Sequence, residues 1–156
     1  MTDPRAALTI LYAEDDEDDR LLVAEALAES RLPNDLRFVT DGEELLDYLQ
    51  RRGKYAAPGS APRPGLVLLD LNMPRKDGRE ALRTIRADRS LARIPVVVLT
   101  TSKAEEDIAR TYDLGATSYI VKPVGFERMV EIVQTLGRYW FDIVELPPPA
   151  GRRYDP

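Results

Sequence analysis

The chain has no cysteine and no histidine among its 156 residues. Without cysteine there is no disulfide framework, no thiolate metal site and no sulfur nucleophile. Without histidine there is no Ser-His-Asp chemistry, no imidazole zinc site and no phosphohistidine carried by this chain. The N-terminus lacks a basic stretch followed by an apolar signal core, and no apolar run is long enough to span a bilayer. A soluble, cytoplasmic protein with no membrane partner is expected. Acidic residues outnumber basic ones, 27 to 22, and the formal net charge of −5 argues against nucleic acid, which rewards a clustered basic face.

What is present fits one domain. A chain of this length buries roughly 70% of its unfolded surface, enough for a single core. Short apolar runs alternate with helical patterns. Strands are predicted at Ala7–Ala13, Leu36–Val39, Leu66–Leu69, Pro95–Leu99 and Tyr119–Val121. Helices are predicted from Glu17 to Ser30, from Asp41 with Glu44 completing a capping box, from Gly78 to Ala87, from Ser102 with Glu105 in the same role, and from Phe126 to Tyr139 or beyond. Gly53–Gly65 is rich in Pro, Gly and Ala and reads as a surface loop. Strands apolar throughout, separated by amphipathic helices, indicate a doubly wound α/β fold with a parallel sheet covered on both faces. The expected division is one domain over 1–144 and a Pro-rich tail over 145–156.

The strand ends carry the chemistry. The first strand runs into Glu14, Asp15 and Asp16, the third into Asp70, the fourth into Thr100 and the fifth into Lys122. In a parallel sheet these ends share one edge, and open α/β sheets bind ligands in the crevice outside it. Two carboxylates about 4 Å apart repel by about 4 kcal/mol at an effective dielectric near 20, so a proton or a cation must enter. With only oxygen ligands a hard divalent ion is favoured, and Mg²⁺ suits few carboxylates, several waters and a phosphate oxygen. An acidic helix start accounts for Asp18 and Asp19 through the helix dipole, but not for an acid after the third strand. Asp70 then reads as a carboxylate nucleophile that forms an acyl phosphate, with Lys122 supplying compact positive charge and Thr100 a hydroxyl.

These residues resemble the response-regulator receiver family of two-component signalling. The likeness spans Thr9–Trp140 and rests on the acidic cluster, DLNMPRKDG at 70–78, LTTS at 99–102 and GATSYIVKP at 115–123. It implies a flavodoxin-like five-stranded parallel sheet in order 2-1-3-4-5 with five helices. It implies Asp70 as phosphoacceptor, Asp15 as direct metal ligand, Glu14 as outer-shell acid and the Asn72 backbone carbonyl as a further ligand. Thr100 and Lys122 would bind the phosphoryl group, and Lys122–Pro123 would be a cis bond. Tyr119 would be the aromatic switch that follows Thr100, and Thr101 would set access. The acid pair is Glu14–Asp15 or Asp15–Asp16, strand alignment favouring the first. A narrower likeness, to small response regulators paired with phytochrome-type histidine kinases, rests on the 53–65 loop and the C-terminal YWFDIVELPP. It implies a sensor histidine kinase as partner.

The last helix places Phe126, Met129, Val130, Val133, Leu136 and Trp140 on a core face, and Ile132, Tyr139 and Ile143 widen the apolar arc. A homodimer through this region is expected. No output domain is recognisable after it, so output is expected through protein contact or relay. Among other readings, an aspartyl phosphatase or phosphotransferase would carry an acid at position 72, where Asn stands. A nucleotide-binding α/β domain would carry a Gly-rich loop after the first strand, which is absent. A degenerate receiver acting only as an interaction module would not need the intact strand-end set.

Overall fold

The computed structural model describes residues 8–30, 34–143 and 145–147, with the backbone alone for Ser30 and 141–143. Five strands alternate with five α-helices: β1 (Thr9–Ala13), α1 (Glu17–Ser30), β2 (Asp35–Val39), α2 (Gly42–Gln50), β3 (Leu66–Leu69), α3 (Gly78–Ala87), β4 (Val96–Thr100), α4 (Glu105–Asp113), β5 (Ser118–Val121) and α5 (Phe126–Gly137). All pairings are parallel, and the sheet order is β2-β1-β3-β4-β5. This is the doubly wound arrangement expected from the alternating pattern.

The central strands β1, β3 and β4 are buried along their whole length. Alternate side chains therefore enter two cores, one on each face of the sheet. One joins Leu11, Val67 and Leu69 to Leu45 and Leu49 of α2 and to Ala81, Leu82 and Ile85 of α3. The other joins Ile10, Tyr12, Leu68 and Leu99 to Val23, Ala26 and Leu27 of α1 and to Met129 and Val133 of α5. No helix among the described residues is long and apolar enough to cross a membrane.

Several local expectations are refined. Asp41 caps α2 by accepting from the Glu44 N–H at 2.7 Å, but the Glu44 carboxylate turns to the Thr40 N–H at 2.7 Å, one residue earlier than a capping box requires. Ser102 does not cap α4. Ala104 holds that position without a side-chain bond, while Ser102 Oγ donates to Asp107 at 2.7 Å inside the first turn. The 53–65 segment is a surface loop that is tied down: Tyr48 donates to the Pro62 carbonyl and Arg51 to the Ala61 carbonyl. Phe126 is 43% exposed and so leaves the core stripe of α5. It is the first residue of the helix and lines a crevice with Leu22 and Pro123. Regular α-helix ends at Gly137, and a wider π-helical turn continues over Arg138–Ile143, burying Trp140. The Ile143 side chain, Ala7 and the tail beyond Pro147 lie outside the described residues.

Candidate functional site

Backbone ladder bonds carry the sheet one residue past its strands. The Glu14 N–H donates to the Val39 carbonyl, Asp70 N–H to Ala13 and Lys122 N–H to Thr100, at 3.0, 3.0 and 2.7 Å. These bonds line up Glu14, Asp70, Thr100 and Lys122 along the carboxyl edge. The turn after Asp70 is tight. A Cβ on Gly78 would lie 2.5 Å from the Asp70 carbonyl oxygen and 2.8 Å from Leu71 Cα, so only glycine lets α3 start this close beneath the site.

Asp70 is buried and accepts a hydrogen bond from the Thr100 hydroxyl at 2.9 Å. Its other oxygen lies 3.5 Å from the Lys122 ammonium. Lys122 also reaches Glu14 at 2.6 Å and Asp19 at 2.8 Å. Glu14, Asp15 and Asp70 each offer a carboxylate oxygen within 4.8 Å of the others. Asp16 is not part of this group: its carboxylate accepts from the Asp18 and Asp19 N–H groups and caps α1. The geometry thus gathers the Glu14–Asp15 register. The Asn72 side is exposed, and its N–H points back to Asp70 at 3.3 Å.

The electrostatics are unbalanced. Burial pushes the Glu14 carboxyl up to about 7, against the pull of Lys122 and with the repulsion of Asp70 added. Burial works against the Lys122 charge, yet its bonds to Asp19 and Glu14 and the field of Asp70 hold its pKa above the ordinary range. One ammonium faces Glu14, Asp19 and Asp70, with Asp15 beside Glu14 and Asp70, so carboxyl groups outnumber it. An all-oxygen, acid-rich cluster with an exposed member suits a hard divalent cation.

Every strand-end residue picked out in the sequence except Asp16 reaches this cluster. The Lys122–Pro123 bond is trans, contrary to expectation, since the described chain contains no cis peptide. Trans is the isomer that X–Pro bonds favour by about 0.5–1 kcal/mol. Tyr119 stands half-buried on β5 and donates its hydroxyl to the Ser102 carbonyl at 2.9 Å, tying the β4–α4 loop to the edge strand. Thr101 is exposed beside Lys122, in a crevice of about 240 Å³ that Asp19, Pro123 and Phe126 also line.

Three further residues shape the site, of which only Asp19 carried a sequence expectation, as part of an acidic helix start. Asp19 holds Lys122, Arg20 donates to the Glu14 carbonyl at 2.8 Å, and Tyr12 donates to the Glu14 carboxylate at 3.3 Å. The signal for Asp19 was its place four residues after Asp15, at the start of a helix that opens on the same edge. The dipole account of an acidic first turn hid it.

Residues 10–134 match the response regulator receiver domain family. Response regulator Rcp1 of Synechocystis is 41% identical over 138 residues, covering 88% of this chain and 92% of the relative. Its solved Mn²⁺-bound form superposes with a TM-score of 0.84 at 40% identity, covering 90% of this chain and 99% of that one. The phosphorylated cyanobacterial phytochrome response regulator RcpA has a TM-score of 0.85 at 44% identity, covering 91% and 99%. A response regulator in red light signalling of R. palustris has a TM-score of 0.85 at 41% identity, covering 90% and 99%. Sequence, sheet order and the acid-rich carboxyl edge agree, and the chain belongs to the response regulator receiver family.

Proposed function

We propose that this receiver accepts a phosphoryl group on Asp70 from a phosphohistidine of a sensor histidine kinase. An Asp70 carboxylate oxygen attacks the phosphorus. The P–N bond breaks, the imidazole leaves with the electron pair, and an acyl phosphate remains. The observation that supports this reading is the pair of contacts on Asp70, the Thr100 hydroxyl at 2.9 Å and the Lys122 ammonium at 3.5 Å, a donor and a cation of the kind that bind phosphoryl oxygens.

Glu14, Asp15 and Asp70, with the Asn72 backbone carbonyl, are the residues we assign to Mg²⁺, with Glu14 in the outer shell. When bound, the ion would neutralise charge on the transferring phosphoryl oxygens. The cluster of three carboxylates within 4.8 Å supports a divalent site. The choice of Mg²⁺ rests on its liking for few carboxylates plus a phosphate oxygen.

Switching would run through Thr100. A shift of its hydroxyl toward a phosphoryl oxygen loosens the β4–α4 loop, which Tyr119 holds by the Ser102 carbonyl. The chain is thus read as a phosphoacceptor that promotes only its own phosphorylation and dephosphorylation, with Thr101 setting access to the site. A phytochrome-type kinase is the proposed partner, supported by the likeness to RcpA and Rcp1 over nearly the whole chain. A cytoplasmic location follows from that partnership. A homodimer through the C-terminal helix region is supported by the exposed Tyr139 and the half-buried Ile132.

Incubation with acetyl phosphate and Mg²⁺, read by intact mass, tests the reading. A single phosphate adduct is expected on the wild-type chain and none on Asp70→Asn. An adduct that persists in the variant would overturn it.

A further inference from the structure

Building on the phosphoacceptor reading of Asp70, we propose that Asp19 is a latch on Lys122, holding the ammonium in the unphosphorylated protein and releasing it when a phosphoryl group arrives. Asp19 is therefore a positioning residue that sets how readily the site accepts phosphate.

An ammonium has three donors. Here they face Glu14 at 2.6 Å, Asp19 at 2.8 Å and Asp70 at 3.5 Å. The Lys122 side chain is only 7% exposed, so water does not offer it a fourth partner. A phosphoryl group on Asp70 carries about two negative charges and needs that cation. The Asp70 contact, at 3.5 Å, is the longest of the three, so drawing the ammonium onto the phosphoryl group at charge-assisted distance stretches one of the two shorter contacts.

Glu14 is the wrong one to release. Its side chain is 1% exposed, and it is fixed by the Tyr12 hydroxyl and the Asp16 N–H as well as by Lys122. Releasing it would break the more deeply buried of the two pairs. Asp19 stands on the first turn of α1 with 32% of its side chain exposed, so its carboxylate can be hydrated as soon as it lets go. An acid on the first turn of a helix is usually explained by the dipole alone. That account does not place its oxygen 2.8 Å from a lysine 103 residues away. Release also frees the start of α1 from the β5–α5 loop, beside the crevice that both residues line.

Beryllofluoride, which coordinates a carboxylate oxygen as a phosphoryl stand-in, provides the test by titration calorimetry with Mg²⁺ present. Asp19→Asn and Asp19→Ala are expected to bind it about three- to tenfold more tightly than wild type, the range of one ordinary, partly solvated hydrogen bond no longer broken. The same variants, ligand-free, should melt about 1–4 °C lower, because an ion pair is lost. The opposite signs separate a latch from a merely structural residue, which would weaken both. Asp18→Asn is the charge control: Asp18 lies on the same turn, exposed, and should leave the affinity within twofold of wild type. Unchanged or weaker binding in both Asp19 variants would overturn the latch, as would equal tightening in Asp18→Asn. Failure of the wild-type chain to bind beryllofluoride would overturn the phosphoacceptor reading, and the latch with it.

Discussion

Replacing Lys122 by methionine should cost the fold heavily and in a way a second mutation repairs. The side chains of Lys122 and Glu14 are 7% and 1% exposed and 2.6 Å apart. Removing one member of a buried pair costs about 3–5 kcal/mol, since the other is left charged and dry. Glu14 has a partial escape: burial already pushes it up to about 7, so without the ammonium it takes up a proton near neutrality. That places the expected loss near the lower end, about 3 kcal/mol, out of a total stability of about 5–15 kcal/mol. With a urea slope of about 1–3 kcal/mol per molar, the unfolding midpoint should fall by about 1–3 M in magnesium-free buffer. Adding Glu14→Gln removes the stranded charge, so the double variant should recover more than about 1 kcal/mol. A loss below about 1 kcal/mol in Lys122→Met, or a double variant weaker than the single, would refute the reasoning.

Other consequences are as concrete. Gly78→Ala should lose about 1–3 kcal/mol in urea denaturation and slow labelling by acetyl phosphate, because the new Cβ meets the Asp70 carbonyl oxygen at 2.5 Å and must push the site apart. Glu44 shows an acid-limb effect. Burial works to raise its pKa, but bonds from Lys54, the Thr40 N–H and Tyr55 bring it below the ordinary glutamate value. A depressed folded pKa means stabilisation present above the unfolded value of about 4.3 and lost as pH falls through the folded one. Glu44→Gln should therefore flatten the decline of stability below about pH 4.3, measured by urea midpoints across the acid range. A decline as steep as that of wild type would count against this ion pair.

How far the residues themselves revealed this structure depends on the range of the interactions involved. The Leu66–Leu69 and Gly78–Ala87 elements match expectation residue for residue, because burial on both sheet faces and amphipathic spacing leave a local imprint. The convergence of Glu14, Asp70, Thr100 and Lys122 was legible for a topological reason: parallel strands put their carboxyl ends on one edge. What was not legible depends on contacts between distant segments. Ser102 looked like a helix cap until Asp107 and the neighbouring Arg79 claimed that turn, with Arg79 3.0 Å from Asp107. Phe126 fits the apolar stripe of its helix by spacing, yet at the helix start it is left 43% exposed. Asp19 reads as a solvated helix start until β5 delivers Lys122 to it. The trans Lys122–Pro123 bond likewise has no local sequence signature that separates it from the cis form.

The central claim is that the side chain of residue 70 receives the phosphate. Borohydride reduces an aspartyl phosphate to homoserine, so labelling with acetyl phosphate and Mg²⁺, reduction and tandem mass spectrometry of the whole digest, including the peptides that carry Asp15, Asp16, Asp70 and Thr100, reads the site directly. The account predicts homoserine at position 70 and nowhere else. Homoserine at Asp15 or Asp16, or a reduction-resistant phosphate on Thr100, would contradict it.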